Sequence, residues 1–341
     1  MMTPENRDIL LQLLDRHRKL GISEQIDYDK FYLYSIIVHS TAIEGSTVTE
    51  VEAQLLFDEG ITSSKRTMAE QEMNLDLKVA YEYGREWMKL HKPITVDWLI
   101  TLASKVMART GSEYSAIGGD FSAAKGELRK LNVSAGLGGK SYMSYLKVPE
   151  RLAAFCEELD RRRKAIDPTD ICAVYDLSFW AHYELVTIHP WADGNGRTSR
   201  LLMNLLQMEF GVLPTKVLIE DKATYIQALI DTREAEDITI FQKCMASLHI
   251  QHLKTDIDQY LNSTVDTTQK NEAATQKALT ITQKAILDYL KDHPKATRQE
   301  VAEALGNITE DGIKYHFSRL QSMGYLKREG GRKLGYWVVS D

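Results

Sequence analysis

The sequence predicts an all-α protein carrying one β-hairpin, followed by a separate C-terminal module of three helices and a β-ribbon. Three observations support this. Apolar residues recur at helical spacing along most of the 341 residues. One stretch, 118–149, gathers Gly118, Gly119, Gly126, Gly136, Gly138 and Gly139 around short apolar pieces. Beyond residue 279 the pattern changes to short helices and then to two strand-like runs around Gly330-Gly331.

The elements follow in order. Residues 5–19 place Ile9, Leu10, Leu13 and Leu14 on one helical face, with Thr3-Pro4 as the start signal. Residues 31–43 are apolar and end in Glu44-Gly45. Residues 51–56 and 69–90 continue the pattern, and 96–108 and 150–164 are amphipathic. Within the glycine-rich stretch, 131–135 and 142–148 are expected to pair as a hairpin. Residues 170–188 form a long apolar helix that stops at His189-Pro190, because a residue before proline is pushed out of helical geometry. A new helix runs from about Gly196 to Phe210, and Gly211 closes it. Helices are expected at 223–231 and 238–261, and the Thr-, Gln- and Asn-rich residues 262–277 read as a partly helical linker.

Composition narrows the function classes. A hydrophobic content of 43% is ample for a core, and the length suggests two or three domains. A net charge of −6 argues against a surface built wholly for nucleic acid or anionic membrane. Cys156, Cys172 and Cys244 are widely spaced with no CxxC pair, so they indicate neither a zinc site nor a disulfide framework. The polar N-terminus does not read as a signal peptide, and no run reaches the ~18 apolar residues of a membrane span. A cytoplasmic protein without membrane contact is expected.

The chemistry lies in residues 189–200, His-Pro-Trp-Ala-Asp-Gly-Asn-Gly-Arg-Thr-Ser-Arg, between two apolar helices. A helix N-terminus offers free N–H groups and partial positive charge. Gly194 and Gly196 let the backbone approach a phosphate. Arg197 and Arg200 are neighbours on the helix surface and suit several phosphates. Asp193 is a hard carboxylate suited to magnesium, and His189 can accept a proton near neutral pH. Base, metal carboxylate and anion cradle together suggest phosphoryl or nucleotidyl transfer.

This stretch resembles the Fic-family signature His-Pro-Phe-x-(Asp/Glu)-Gly-Asn-Gly-Arg-x-x-Arg, with Trp191 in place of phenylalanine. The resemblance extends over about 31–248 and implies a Fic-fold helical core with a hairpin flap. It implies His189 as the base that deprotonates a target hydroxyl and Asp193 as the magnesium ligand. Gly194, Asn195 and Gly196 would hold the α-phosphate region, Arg197 the β-phosphate and Arg200 the γ-phosphate. Attack at the α-phosphate of ATP would leave AMP on the target and release pyrophosphate.

Ser40-Thr41-Ala42-Ile43-Glu44-Gly45 resembles the family's inhibition motif, (Ser/Thr)-x-x-x-Glu-(Gly/Asn). The resemblance implies that Glu44, with Ser40 and Gly45, neutralises the γ-phosphate anchor Arg200, and that the inhibitory helix precedes the catalytic core. Residues 126–149 look like the family's flap, with Leu128 where tyrosine is usual. Val133, Ser134, Ala135 and Gly136 fall where flap backbone lies near the nucleotide, and the flap edge would dock a target by strand addition. Tyr225 and Ile226 resemble a Tyr-Tyr-x-x-Leu region near the base pocket, with Ile226 in place of the second tyrosine. Tyr225 reads equally as a core tyrosine.

The C-terminal module resembles a winged helix-turn-helix. Ile281 to Leu290 has apolar spacing, Thr297 caps a second helix, and Thr309-Glu310-Asp311 opens a third that exposes Lys314, Tyr315, His316, Ser318 and Arg319. The wing carries Lys327, Arg328, Arg332 and Lys333. That pattern fits DNA backbone contact, and such modules also dock proteins.

The sequence thus divides into an N-terminal helical region with the inhibitory helix (1–94), a Fic catalytic core (95–252), a linker (253–278) and a winged helix (279–341). The expected function is an autoinhibited protein adenylyltransferase using ATP and magnesium, acting on a target protein or on itself; a homodimer suits the family. The alternatives are a DNA-binding regulator with a nucleotide-sensing site, or a Fic enzyme that uses UTP or GTP or removes AMP.

Overall fold

The computed structural model describes residues 2–135, 140–270, 281–306, 308, 310–322, 324–330 and 335–340. It divides into two compact units, Met1–Leu261 and Asn262–Asp341.

The first unit is built from α1 (Pro4–Lys19), α2 (Tyr28–Ile43), α3 (Glu50–Glu59), α4 (Met68–Lys89) and α5 (Val96–Val106). A short antiparallel pair follows, β1 (Glu113–Tyr114) with β2 (Phe121–Ser122). Then come α6 (Val148–Ala165), α7 (Ile171–Ile188), α8 (Asn195–Glu209), α9 (Lys222–Ala235) and α10 (Ile238–Lys270), the last of which runs past Leu261, where the first unit ends. The Thr3-Pro4 start signal acts as expected. The Thr3 hydroxyl caps α1, and α3 and α4 each open with a capping box, Thr49 with Glu52 and Thr67 with Glu70.

Two apolar clusters share the α7–α8 pair. Leu77, Trp98, Leu102, Leu152 and Phe155 pack on one side with Ala181, Leu185, Leu201 and Leu205. Leu10, Phe241 and Met245 pack on the other with Tyr175, Phe179 and Met203. Helices apolar on nearly every face belong in the middle of a fold. The loop joining α7 to α8 is therefore anchored at both ends in close-packed core, which fixes the 189–194 segment tightly.

The expected hairpin forms only in part. Tyr142 N donates to Val133 O at 3.0 Å and Ala135 N to Lys140 O at 3.1 Å, around an isolated Ser134–Ser141 bridge. No ladder over 131–135 and 142–148 develops among the described residues, which corrects that expectation. Tyr145–Lys147 forms a 3₁₀ turn instead, and α6 begins at Val148 with Pro149 in its first turn. Proline presets helical geometry there, so the second arm leaves the hairpin early. Gly136, Gly138 and Gly139 lie outside the described residues.

In the second unit, α11 (Ile281–Asp292), α12 (Arg298–Leu305) and α13 (Glu310–Ser322) precede the antiparallel pair β3 (Leu326–Glu329) and β4 (Tyr336–Val339). Ile286, Leu290, Val301, Ile313, Phe317, Leu320 and Trp337 form its core. Thr309, Met323, Gly331, Arg332, Lys333 and Leu334 lie outside the described residues. The helix expected to stop near residue 261 runs to Lys270, inside the stretch read as linker. Among the described residues no helix is long and apolar enough to cross a membrane.

Candidate active site

The α7–α8 loop begins with a left-handed residue. His189 ends α7 at φ 52°, which turns the chain out of the helix before Pro190. Trp191 is buried, and its indole Nε1 donates to Gly126 O at 2.9 Å. Asn195 closes the loop on itself: its side chain accepts from Trp191 N at 3.1 Å and donates to Trp191 O at 2.8 Å. The Asn195 amide is thus spent on loop shape, and its backbone N–H is left to open α8.

Gly194 caps α8 at φ 80°, and a Cβ there would stand 2.7 Å from Met107 Sδ. Only glycine meets both demands. The first-turn N–H groups of Asn195, Gly196 and Arg197 have no intrahelical acceptor. A Cβ at Gly196 would fall 2.6 Å from Glu44 Oε1, so the bare backbone at this position is already in use.

Arg197 has a side chain 3% exposed. Its Nη2 lies 3.0 Å from Met107 Sδ and 3.5 Å from Asp193 Oδ1, while Nε and Nη1 are buried without a hydrogen-bond partner. Burial lowers its pKa, partly countered by Asp193 and Glu44. A buried guanidinium with two idle donors is costly unless an anion completes it. Asp193 itself is 57% exposed, and its Oδ1 accepts from Gly194 N at 2.6 Å.

Arg200 is the opposite case, since every nitrogen is engaged. Nε donates to Ser40 Oγ at 2.9 Å, Nη2 to Ser40 O at 2.9 Å and to Glu44 Oε1 at 2.6 Å, and Nη1 to Tyr225 Oη at 3.4 Å. Glu44 caps α2, with a side chain 32% exposed. Burial opposes its charge, but Arg200 and then Arg197 outweigh that and hold it below the ordinary carboxylate value. Gly45 follows at φ 105°. The turn is braced by Asn74 of α4, which accepts from Thr41 Oγ1 at 3.0 Å and donates to Ser46 Oγ at 3.2 Å.

The His189 Nδ1 faces Val186 O at 3.3 Å, so Nδ1 carries the proton and Nε2 is the acceptor. Burial pushes the imidazole down to about 4, with Arg129 also lowering it and the Val186 carbonyl, Asp193 and Glu44 pulling the other way.

The structure gathers His189, Asp193, Gly194, Asn195, Gly196, Arg197, Arg200, Ser40, Glu44 and Gly45 in one region of the first unit. Tyr225 sits behind Arg200 as a core tyrosine. It is buried, packs against His182 and Phe241, and its hydroxyl lies 3.0 Å from His182 Nε2. Ile226 is exposed on α9. Val133 is half-buried, and Ser134 and Ala135 are exposed on the flap; Gly136 is outside the described residues. Among the described residues no cluster of three or more His, Cys, Asp or Glu could hold a metal by itself.

Sequence reasoning gave no role to Arg129, Tyr142 or Asn74. Arg129 falls within the stretch that resembles the flap, and nothing in its spacing shows that it is buried.

Residues 93–207 match the Fic/DOC family model. The segment is a Fic/DOC domain. Residues 279–327 match a model described as winged helix-turn-helix DNA-binding. The Fic protein adenylyltransferase fic-1 of Caenorhabditis briggsae is 26% identical over 238 residues, covering 69% of this chain and 42% of its own length. The chain therefore spans less than half of that relative. A Fic domain containing signalling protein from Bacteroides thetaiotaomicron shares the fold with TM-score 0.59 and 22% identity, over 73% of this chain and 95% of its own. A Fic family protein from Desulfovibrio desulfuricans has TM-score 0.59 and 17% identity, over 100% of this chain and 97% of its own.

Proposed function

We propose that this Fic protein transfers AMP from ATP to a hydroxyl side chain of a protein, its own or another's, and that Glu44 holds it inactive. The observation that carries this reading is Arg197. Its two unpartnered buried donors sit on the first turn of α8, beside N–H groups that lack intrahelical acceptors. That combination is made for a polyanion. The similarity to the protein adenylyltransferase fic-1 supports ATP as the source of the transferred AMP.

The residues divide the reaction in a definite way. His189 Nε2 takes the proton of the target hydroxyl, whose oxygen bonds to the α-phosphorus as the bond to the β-phosphate oxygen breaks. The α8 N-terminus and Arg197 stabilise charge spreading onto the phosphates in a water-poor site. Asp193 is exposed and lightly engaged, so its hard carboxylate would hold a magnesium ion. That ion would neutralise charge on the departing pyrophosphate. Arg200 is the natural γ-phosphate anchor, and Glu44 occupies it. Ser134 and Ala135 are exposed on the flap, which fits a target segment docking against it.

The test is incubation of Glu44→Gly, the parent and His189→Ala with labelled ATP and magnesium. Glu44→Gly should transfer at least about tenfold more than the parent, and His189→Ala should transfer none. Equal labelling by Glu44→Gly and the parent would end the inhibitory reading. Parallel runs with UTP, GTP and an AMP-modified protein decide base preference and direction.

The winged-helix match favours a second activity, DNA contact by the C-terminal unit. Lys314 is exposed on α13, and Lys327 and Arg328 are exposed on β3.

A further inference from the structure

We infer that the flap positions the base: Tyr142 sets the plane of the His189 ring, and Arg129 ties the His189 backbone to both flap arms. This rests on the AMP-transfer reading and assigns these two side chains a positioning role.

A general base needs a fixed orientation, usually given by a partner on its far nitrogen. Here that partner is a single backbone carbonyl, Val186 O, at a long 3.3 Å. Among the described residues no carboxylate holds Nδ1. The ring is instead held by its face. Tyr142 stacks on it with centroids 3.8 Å apart and planes 18° from parallel. Face stacking leaves the edge of the imidazole clear, and the Nε2 lone pair lies in the ring plane. Tyr142 can therefore orient the base without blocking a hydroxyl that approaches Nε2.

Tyr142 is itself held on several sides. Its N–H donates to Val133 O at 3.0 Å. The Arg233 guanidinium stands 5.3 Å from its ring centroid, and Arg233 Nη2 donates to Ser141 O. Lys140 pairs with Glu234 at 3.1 Å. The flap is thus fastened to α9 at the two residues before the tyrosine and at the tyrosine ring itself.

Arg129 fastens the flap base. Only 1% exposed, it spends its guanidinium on three carbonyls: Nε on His189 O at 2.7 Å, Nη1 on Leu131 O at 2.8 Å and Nη2 on Met143 O at 2.7 Å. Leu131 and Met143 lie on opposite arms of the flap. Arg129 N also donates to Pro190 O at 3.0 Å. One rigid fork therefore links both arms to the residue whose side chain takes the proton. A lysine ammonium has no such planar fork with which to bridge three carbonyls.

The experiment uses Glu44→Gly as parent and adds Tyr142→Ala, Tyr142→Phe or Arg129→Lys. Three quantities are read: kcat, KM for ATP, and the NMR shift of the His189 ring protons, which a stacked ring moves upfield. Tyr142→Ala should lower kcat by at least roughly tenfold with KM for ATP nearly unchanged, as expected when reacting groups lose alignment. It should also move the His189 signal downfield. Tyr142→Phe, which keeps a ring, should restore most of both. Arg129→Lys should lower kcat and broaden or shift the same signal. An unshifted His189 signal in Tyr142→Ala, or an undiminished kcat, overturns the role of Tyr142. Arg129→Lys indistinguishable from the parent overturns that of Arg129. If Glu44→Gly itself transfers no AMP, the AMP-transfer reading fails, while the ring-proton shift still decides the stack.

Discussion

Arg197 and Arg200 are neighbours on one helix turn in opposite states, one with idle donors and one fully engaged. On the proposed reading, that asymmetry places the inhibition on a single guanidinium. Ser40 supplies two of its acceptors, but one is a backbone carbonyl that a substitution keeps. Ser40→Ala should therefore raise transfer by only about threefold, well below Glu44→Gly, in the same labelling assay. Acid should not mimic the mutation. Glu44 is held below the ordinary carboxylate value, so its ionised contact is intact above that value and is lost only as pH falls through the lowered one. The ratio of transfer by Glu44→Gly to that by the parent should stay constant between about pH 6 and 8. A ratio that collapses toward pH 6 would show that a different group sets the inhibition.

At the scale of elements, the turn that carries Glu44 is braced by α4 as well as by α2. Asn74 joins Thr41 to Ser46 across the turn, and Glu70 accepts from Thr47 N at 2.7 Å. Asn74→Ala takes one partner from each of two buried hydroxyls, Thr41 keeping Val38 O and Ser46 keeping Val48 N, a loss of about 1 kcal/mol per bond. It should raise transfer several-fold in the parent and have no further effect in Glu44→Gly, a double-mutant cycle that reads coupling directly. Equal effects in both backgrounds would place Asn74 outside the inhibitory turn. The helices were legible because their signals are local: Thr3-Pro4 before α1, and Pro190 after α7. The flap was less so, because its second arm is redirected by Pro149 and the 3₁₀ turn before it. The signature residues were legible as a pattern. The brace through Asn74 and the fork of Arg129 were not, since each joins segments far apart in sequence, which periodicity does not report.

For the whole molecule, burial of neutral imidazoles sets an acid limit. His182 and His249 are pushed down to about 3 and His189 to about 4, each mainly by burial. Unfolded, each would take a proton below about pH 6.5, whereas the folded chain refuses it until much lower. Unfolding therefore takes up protons in that window, and stability falls as pH drops from about 6.5 toward 4. Urea midpoints at pH 7, 6 and 5 should decline in that order, and a flat series would show that other groups compensate. In the second unit, Lys314→Glu with Arg328→Glu in the full chain should weaken duplex DNA retention and flatten its salt dependence. Retention that survives both changes would assign the module to another partner.

Glu44 and Arg200 belong to the same polypeptide, so their contact does not dilute. A restraint supplied by a separate molecule fades as its concentration drops, whereas a tethered one keeps the same effective local concentration in one copy per cell or a thousand. On the proposed reading, an anion that bids for that guanidinium competes with Glu44, and the fraction of molecules released would track the supply of that anion and not the abundance of the protein.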